Sequence, residues 1–384
     1  MSTGVAVVGA AEADKIGIVP DKSALQLHAE AATNALAAAN LTIRDVDGLW
    51  TCGIDFMPGL LVAEYLGITP EVTGSNSIGG SSFVAHLHEA VAAIQAGVCE
   101  VALITHGETR RSNRKRGVST RPAHDDPWFP DWQWEKVYGV ATPPPAYALA
   151  ATRHMHEYGT TSAQLAEIAV ATRKWAALNP SALDRGPLSI EDVLDSPWLV
   201  YPFHLRDCCL VTDAGGAVVL TSANRARRLG VPVIEVLGSA VASSHYQITQ
   251  MPDLTETPAR RSGAAAFAQA GLTPADIDVA QLYDSFTYTV LVTLEDLGFC
   301  AKGEGGAFVS GQRTAPGGDF PLNTSGGGLS YTHPGMFGMF LMVEAVRQLR
   351  GECGDRQVAD AEVALVNGMG GYLSSAATTI LART

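Results

Sequence analysis

The glycine–serine turn at residues 79–82 is where nucleophilic chemistry would be expected in this chain. Gly79 and Gly80 lead into Ser81 and Ser82, and the apolar residues that follow have the spacing of an amphipathic helix. Such turns often present a reactive side chain, or a row of backbone N–H groups, at a helix N-terminus. This turn contains no cysteine, and it supplies no adjacent base for a serine nucleophile. The simpler interpretation is that both serines cap the helix.

The composition is that of a globular protein. The chain has 384 residues, enough for two domains, with 47% hydrophobic and 17% charged residues. No apolar run is long enough to span a membrane and no secretory signal is visible, so we expect a cytoplasmic protein. The six cysteines lack metal-ligand spacing and are expected to be reduced thiols. The net charge of −13 argues against general nucleic-acid binding.

An internal repeat indicates the architecture that must position the turn. Three pairs of similar segments occur in the same order: 40–47 with 271–278, 78–82 with 326–330, and 88–97 with 343–351. The third pair is followed in each half by a buried-strand pattern, "EVALIT" and "EVALVN". The sequence therefore predicts a duplicated protein in which corresponding turns and helices occupy corresponding places.

The predicted fold class is α/β. Apolar strands without polar alternation indicate sheets that are covered on both faces by helices. We predict an N-terminal half over residues 1–225 and a C-terminal half over 226–384, with an insertion at about 109–200. Glycine turns at the carboxyl ends of such strands place helix N-termini around a shared crevice, where ligands usually bind.

Five segments resemble one known family: 156–182, 204–222, 282–286, 326–335 and 367–371. They are similar to thiolases of the sterol-carrier-protein-X type, and the resemblance extends over nearly the whole chain. It implies the thiolase fold, a duplicated five-layer αβαβα sandwich with five strands in each half and a loop-domain insertion. It also implies a homodimer.

The resemblance places the family's nucleophilic cysteine at Gly80, or at Ser81 if the turn shifts by one residue. Tyr283 stands where the family usually has Asn or His, while Asp284 and His333 are retained. This combination resembles the thiolase-like aldolases of steroid side-chain degradation. Such enzymes cleave a β-hydroxyacyl-CoA by a retro-aldol reaction and act with a small partner carrying an OB-fold and a zinc ribbon.

A retro-aldol reaction needs no nucleophile, but it needs a base, an acid and a site for the thioester enolate. Tyrosine can transfer protons if neighbouring groups lower its pKa from about 10. We therefore predict Tyr283 and Tyr331 as proton carriers and His333 as a donor to the enolate oxygen. Asp284 is either a further catalytic group or the cap of a helix beginning at Ser285. No metal or cofactor is expected, because the CoA thioester is itself the substrate.

The predicted acyl-CoA site includes the glycine turns and a basic run. Its turn residues are Gly80, Ser81, Gly327, Gly328 and Gly370. Arg114 and Lys115 belong to the run at 110–116, which either is a solvated loop or attracts the CoA phosphates. The absent sulfur is also expected to leave room for a bulky group beside the acyl carbon.

Two surfaces are predicted to make protein contacts. The first-half sheet edge at 71–80 is expected to form the homodimer. The aromatic stretch at 125–139 is expected to touch the partner or to cover the acyl pocket. Two alternatives remain for the function: a thiolase or Claisen-type acyltransferase with a non-cysteine nucleophile, and a non-catalytic acyl-CoA-binding subunit.

Overall fold

The computed structural model describes residues 3–116 and 127–384. The strands in these ranges are β1 (Val5–Glu12), β2 (Gly48–Trp50), β3 (Val72–Gly74), β4 (Val101–Thr109), β5 (Trp198–Val200), β6 (Phe203–His204), β7 (Asp213–Ser222), β8 (Ile234–Ser243), β9 (Val279–Leu282), β10 (Val363–Gly370) and β11 (Ser375–Arg383).

The helices in the same ranges are α1 (Ala24–Ala37), α2 (Pro58–Leu66), α3 (Ser82–Gln95), α4 (Arg110–Lys115), α5 (Pro130–Trp134), α6 (Pro143–Tyr158), α7 (Ser162–Ala177), α8 (Ile190–Leu194), α9 (Ala223–Ala226), α10 (Ala259–Ala270), α11 (Thr287–Asp296), α12 (Gly305–Val309) and α13 (Gly338–Arg350). In this part of the chain no helix has the length and apolar character needed to cross a membrane.

Hydrogen bonds link nine strands in the order β3-β2-β4-β7-β1-β8-β11-β10-β9. The first five belong to the first half and the last four to the second half. The two halves join through a short antiparallel contact of two residue pairs between β1 and β8. In the second half, Leu322 pairs with Ala280 of β9 through an isolated parallel bridge. This bridge takes the place that the fifth strand, β3, has in the first half. The halves therefore have matching strand orders that run outward from the junction.

The repeat inferred from the sequence is visible in individual hydrogen bonds. Asp47, near the end of the first repeated segment, accepts from the N–H groups of Glu100 and Val101 at 2.7–3.0 Å. Asp278 occupies the matching position in the second half and accepts from the two N–H groups at the start of β10, at 2.8 and 2.9 Å. The same side chain thus ties the same two elements together in both halves.

The repeated helices α3 and α13 form the middle of the structure. In α3 the buried residues Phe83, Leu87 and Val91 follow helical spacing, and the helix packs on strands of both halves. Helix α13 likewise contacts β1, β7, β9 and β10. Helices α1 and α10 pack on the first-half and second-half strands respectively. The expected layered α/β architecture is confirmed.

The inserted segment lies between two neighbouring strands of the first half. Strand β4 ends at Thr109, and its antiparallel partner β7 begins at Asp213. Helices α4 to α8 and the β5–β6 pair occupy the described part of this interval. The start of the predicted aromatic stretch, residues 125 and 126, lies outside the described residues, as do residues 117–124.

Candidate active site

Tyr283 follows β9 directly, and β10 holds its backbone in place. Its N–H donates to the Asn367 carbonyl at 3.0 Å, which extends the parallel β9–β10 pairing by one residue. The side chain is only 4% exposed. Its hydroxyl lies 3.1 Å from His333 Nε2 and accepts a hydrogen bond from the Phe337 N–H at 3.2 Å. Tyr283 and His333, both predicted from the sequence, are therefore brought together.

His333 is fixed through its backbone by the strand-end segment at Thr212. The His333 N–H donates to Thr212 Oγ1 at 2.9 Å, and the Thr212 N–H donates to the His333 carbonyl at 3.3 Å. The imidazole meets the Tyr283 ring edge to face, with centroids 5.6 Å apart, and stacks on Phe337 at 6.0 Å. The Phe337 N–H donor comes from the same turn as His333. Sequence reasoning missed it, because a backbone donor cannot be recognised from the type of its side chain.

Gly80 and Tyr283 share one volume. A Cβ built on Gly80 would lie 2.3 Å from Cζ and 2.4 Å from the hydroxyl oxygen of Tyr283. Any larger residue at position 80 would therefore displace the tyrosine ring. The expectation that the missing sulfur leaves open room beside the acyl carbon is wrong at this point, because the Tyr283 side chain fills the space.

The two serines hold the turn rather than the helix. Ser82 Oγ donates to the Gly79 carbonyl at 2.6 Å and accepts from the Ile78 N–H at 2.9 Å. Ser81 Oγ donates to the Ile78 carbonyl at 3.1 Å and lies 2.8 Å from Ser375 Oγ. The capping interpretation is wrong in detail, because Ser81 at the N-cap makes no side-chain bond to the first turn of α3. These contacts supply no base to either hydroxyl.

The cysteines offer no substitute nucleophile in the structure. Burial raises the pKa of the Cys52 thiol, which lies near the turn, to about 11. Burial likewise raises the pKa of Cys209 to about 12, and electrostatic contact with Asp284 adds to the effect. Both thiols are therefore protonated near neutral pH. Neither is an efficient nucleophile in this state, because the reactive form of cysteine is the thiolate.

Asp284 is fully buried and holds the second glycine turn. Its carboxylate accepts from the Gly328 N–H at 2.7 Å and the Leu329 N–H at 3.2 Å. A Cβ on Gly327 would lie 2.0 Å from Asp284 Oδ2, and Gly327 has φ +57°, so the close approach requires glycine there. The capping alternative is wrong, because helix α11 begins at Thr287 with Phe286 as its N-cap. Asp284 instead fixes the single π turn over 327–331 that precedes His333.

Tyr331 lies in the same turn, but its hydroxyl makes a different contact. It donates to Glu12 Oε1 at 2.6 Å, and Arg347 donates to the same oxygen at 2.8 Å. This partly buried cluster, in which Arg347 also pairs with Glu12, joins β1 to α13. The structure therefore does not bring the Tyr331 hydroxyl into the Tyr283–His333 pair, and the contact with Glu12 explains its burial.

The glycine turn at Gly370–Gly371 packs directly on the turn at Gly79–Gly80. A Cβ on Gly370 would lie 1.9 Å from the Ile78 carbonyl oxygen, and one on Gly79 would lie 2.4 Å from Gly371 N. The two turns are in direct backbone contact. The structure gives the turn residues that are predicted to bind ligand a packing role around the site. These residues are Gly80, Ser81, Gly327, Gly328 and Gly370.

The basic run lines an open groove near the histidine. The cavity has a volume of about 390 Å³, and its described lining residues are Arg111, Arg114, Lys115 and Val211. The Arg111 N–H donates to the carbonyl of Thr212, whose side chain holds His333. The groove is therefore connected to the candidate active site through a single residue, and its lining is cationic in a chain of net charge −13.

Electrostatics set the resting state of the pair. Burial raises the pKa of Tyr283 well above its usual value of 10. The expectation that neighbouring groups lower this pKa is therefore wrong for the resting protein, and Tyr283 is a neutral hydroxyl at neutral pH. It can still transfer a proton in concert with His333, because the Phe337 N–H stabilises negative charge on the oxygen as it develops.

This fold and site define a thiolase-like protein in which Gly80 occupies the turn where the family's nucleophilic cysteine is expected, and the Tyr283 ring fills the space above it. Residues 240–383 match the family described as thiolase C-terminal domain-like. The chain is 40% identical over 342 residues to 17-hydroxy-3-oxo-4-pregnene-20-carboxyl-CoA lyase of Mycobacterium tuberculosis, covering 86% of this chain and 87% of the relative. It is 37% identical to the steroid side-chain-cleaving aldolase of Thermomonospora curvata, covering 90% of each.

A solved structure, the Ltp2-ChsH2(DUF35) aldolase, superposes with a TM-score of 0.89 at 34% identity, covering 100% of this chain and 98% of that one. The chain therefore belongs to the thiolase superfamily, in the branch that contains the steroid side-chain-cleaving aldolases. The predicted family and thiolase fold are confirmed. The division at residue 225 stays a prediction.

The steric relation between Gly80 and Tyr283 predicts non-additive stabilities. Gly80→Ala should cost about 1–3 kcal/mol of unfolding free energy, as overpacking does. In a Tyr283→Ala background the new methyl group has space, so the same change should cost at least about 1 kcal/mol less. Urea unfolding of the two single variants and the double variant measures the coupling. Gly186→Ala, where an added Cβ meets nothing within 4 Å, is the control and should be additive. Additive Gly80 and Tyr283 effects would contradict the shared volume.

Asp284 predicts a pH dependence of stability. Burial raises its pKa to about 7, whereas the unfolded chain ionises near 4. Its contribution to stability is therefore complete below pH 4 and is lost as the pH rises to 7, by up to about 1.4 kcal/mol per pH unit. Asp284→Asn should remove this slope in unfolding experiments.

Asp276→Asn is the control, because hydrogen bonds from Thr273 lower the pKa of Asp276 and confine its effect to lower pH. An unchanged slope in Asp284→Asn would mean that the carboxyl is ionised in the folded protein throughout this range.

Proposed function

We propose that this protein is a carbon–carbon lyase that cleaves a bulky β-hydroxyacyl-CoA of the steroid side-chain type by a retro-aldol reaction. The products are a ketone and a shorter acyl-CoA. The observation that carries the proposal is the environment of the Tyr283 hydroxyl. It lies within hydrogen-bond distance of His333 Nε2 and accepts from the Phe337 N–H, and the ring fills the space above Gly80. The names and the 40% and 37% identities of the two lyase relatives support the same reaction class.

The proposed reaction uses the Tyr283–His333 pair as base and then as acid. The Tyr283 oxygen accepts one hydrogen bond from Phe337 and can accept a second from the substrate β-hydroxyl. As the β-hydroxyl loses its proton to Tyr283, Tyr283 passes its own proton to His333 Nε2. The Cα–Cβ bond breaks, its electron pair forms the thioester enolate, and the β-carbon becomes the ketone. The pair then returns the proton to Cα.

The enolate oxygen needs hydrogen-bond donors at the same place. The turn before α3 and the Gly371 backbone nitrogen meet beside Tyr283, because Gly79 is packed directly on Gly371. Backbone N–H groups of these two turns are the proposed donors, together with protonated His333. Removing one donor of this kind typically costs roughly 10²–10³ in rate. The proposal requires no metal and no cofactor beyond the CoA thioester.

The groove lined by Arg111, Arg114 and Lys115 is the proposed site for the CoA phosphates. Three cationic side chains in one open cavity favour an anionic group, and Arg111 is joined through Thr212 to His333. This arrangement would orient the thioester end of the substrate towards the tyrosine.

A covalent acyltransferase is the principal competing function. The acetyl-CoA acetyltransferase of Methanothermobacter thermautotrophicus is 33% identical over 99% of both chains. Such chemistry needs a nucleophile beside the thioester carbon. Position 80 has no side chain, the serine hydroxyls are bonded within the turn, and the Cys52 and Cys209 thiols have raised pKa values. These observations favour the lyase.

Two protein contacts belong to the proposal. Strand β3 is an edge strand, and we place the homodimer contact along it. The partner, a small protein with an OB-fold and a zinc ribbon, is proposed to bind the aromatic segment within 127–139. Buried Glu135 anchors that segment by accepting from the N–H and hydroxyl of Thr249 at 3.1 and 3.2 Å. Trp134 and Tyr138 are 61% and 79% exposed beside this anchor.

Tyr283→Phe should lower kcat at least roughly 10³-fold, because it removes the atom that carries the proton. KM should change little, and the fold should be retained because only a hydroxyl is lost. Ser81→Ala is the control and should keep kcat within about tenfold. The measurement is ketone release from 17-hydroxy-3-oxo-4-pregnene-20-carboxyl-CoA. Full activity of Tyr283→Phe would reject this mechanism.

Charge reversal in the groove should act on binding. Arg114→Glu combined with Lys115→Glu should raise KM at least roughly tenfold at low salt and leave kcat within a few-fold. The wild-type KM should rise with ionic strength, whereas that of the variant should not. The control is Arg260→Glu together with Arg261→Glu, a surface pair on α10. An unchanged KM in the groove variant would exclude the groove from CoA binding.

Light scattering should give twice the chain mass of 40.3 kDa for the protein alone.

Trp134→Ala should weaken binding of a candidate zinc-ribbon OB-fold protein at least roughly tenfold, since exposed tryptophans at interfaces are often binding hot spots. Trp198→Ala, which changes another exposed tryptophan on β5, is the control and should bind normally. A monomer, or partner binding that Trp134→Ala leaves intact, would count against the respective contact.

A further inference from the structure

Tyr147 is a point at which the inserted segment reaches the paired glycine turns at Gly79–Gly80 and Gly370–Gly371. It lies on α6, whose first three residues are the prolines at 143–145, so the first turn of the helix is conformationally fixed. Its side chain is 3% exposed, and its hydroxyl donates to the Gly371 carbonyl at 3.1 Å. Helix α6 thus holds the loop between β10 and β11 from outside the duplicated core.

The Gly371 loop transmits this contact to the turn at Gly80. Gly79 packs so closely on Gly371 that a Cβ would lie 2.4 Å from the Gly371 nitrogen. Gly370 is equally close to the Ile78 carbonyl, at 1.9 Å for a built Cβ. Neither turn can move against the other without opening this contact, and the Gly80 end of the first turn bounds the Tyr283 ring.

The Tyr147 ring also touches the segment that carries Tyr283. It packs on Phe286, with centroids 4.7 Å apart, and Phe286 in turn stacks on Phe203 at 5.1 Å. Phe286 is three residues beyond Tyr283 and is the N-cap of α11. One side chain therefore restrains both the glycine turns through its hydroxyl and the tyrosine segment through its ring.

We propose that Tyr147 is a positioning residue for the carbon–carbon cleavage, clamping the Gly370–Gly371 loop against the turn at Gly79–Gly80 so that Tyr283 keeps its alignment with His333. The proposal rests on the proposed lyase function. Burial raises the pKa of Tyr147 to about 12, so its hydroxyl stays a hydrogen-bond donor over the working pH range. The inserted segment accordingly supplies part of the alignment on which the reaction depends.

Tyr147→Phe tests the clamp, because it deletes the hydroxyl and keeps the ring on Phe286. Tyr288→Phe is the matched control. Tyr288 is also a fully buried tyrosine that donates to a backbone carbonyl, that of Leu254 at 3.4 Å, but it packs on His154 of the inserted segment. The measurements are kcat and KM with 17-hydroxy-3-oxo-4-pregnene-20-carboxyl-CoA, thermal unfolding, and hydrogen–deuterium exchange of peptides covering 76–83 and 367–374.

We expect Tyr147→Phe to lower kcat roughly 10- to 100-fold with KM within about threefold, because small misplacements of reacting groups are costly. Exchange should become faster in both turn peptides and should not change in β1 or β4. Tyr288→Phe should leave kcat within about threefold. Unchanged exchange in Tyr147→Phe, an unchanged kcat, or an equal loss of kcat in Tyr288→Phe would overturn the proposal.

The two levels of inference separate in this experiment. A wild-type protein that cleaves neither this substrate nor a simpler β-hydroxyacyl-CoA rejects the lyase and with it the catalytic role of Tyr147. Wild-type turnover with a negative result for Tyr147→Phe rejects the clamp alone and leaves the lyase standing.

Discussion

The site depends on one steric relation, the Tyr283 ring filling the volume above Gly80. A side chain at position 80 and the observed tyrosine position exclude each other, since a Cβ would lie 2.3 Å from the ring. The tyrosine can therefore occupy this space only because position 80 has no nucleophilic side chain. The same contact puts the hydroxyl within 3.1 Å of His333 and under the Phe337 N–H, where a proton can be exchanged and a developing negative charge is stabilised.

The duplicated fold supplies the walls of this arrangement. Helices α3 and α13 pack against each other in the middle. The start of α13 lies on the first glycine turn, because a Cβ built on Gly338 would be 2.6 Å from the Gly80 carbonyl oxygen. Asp284, next to the tyrosine, holds the Gly327–Tyr331 turn through two backbone N–H groups. The reacting groups thus sit on backbone fixed by close packing and buried hydrogen bonds, which suits chemistry that requires alignment rather than a reactive nucleophile.

The repeat and the α/β class could be predicted from the pattern of the residues, and the superfamily from the resemblance of several segments to a known family. The same resemblance puts Tyr283 and His333 in one candidate site, and the structure brings their side chains to within 3.1 Å of each other. The contact partners could not be predicted, because they depend on side-chain direction. The Tyr331 hydroxyl reaches Glu12 rather than His333, and no local sequence pattern predicts this contact. From the sequence, proton transfer by Tyr283 depends on a lowered pKa, but burial, which a motif does not reveal, raises the pKa. Tyr147 gave no signal, since it lies on an ordinary helix far from the motifs.

The central claim is that cleavage proceeds without a covalent acyl-enzyme. Rapid-quench intact-protein mass spectrometry during turnover of a β-hydroxyacyl-CoA tests it most directly, with sampling from the first turnover into the steady state. The account predicts the unmodified mass of the chain at every time point while ketone and shortened acyl-CoA accumulate. A transient mass increase equal to the acyl group, mapped to Ser81, Ser82 or a cysteine and formed as fast as product, would contradict it.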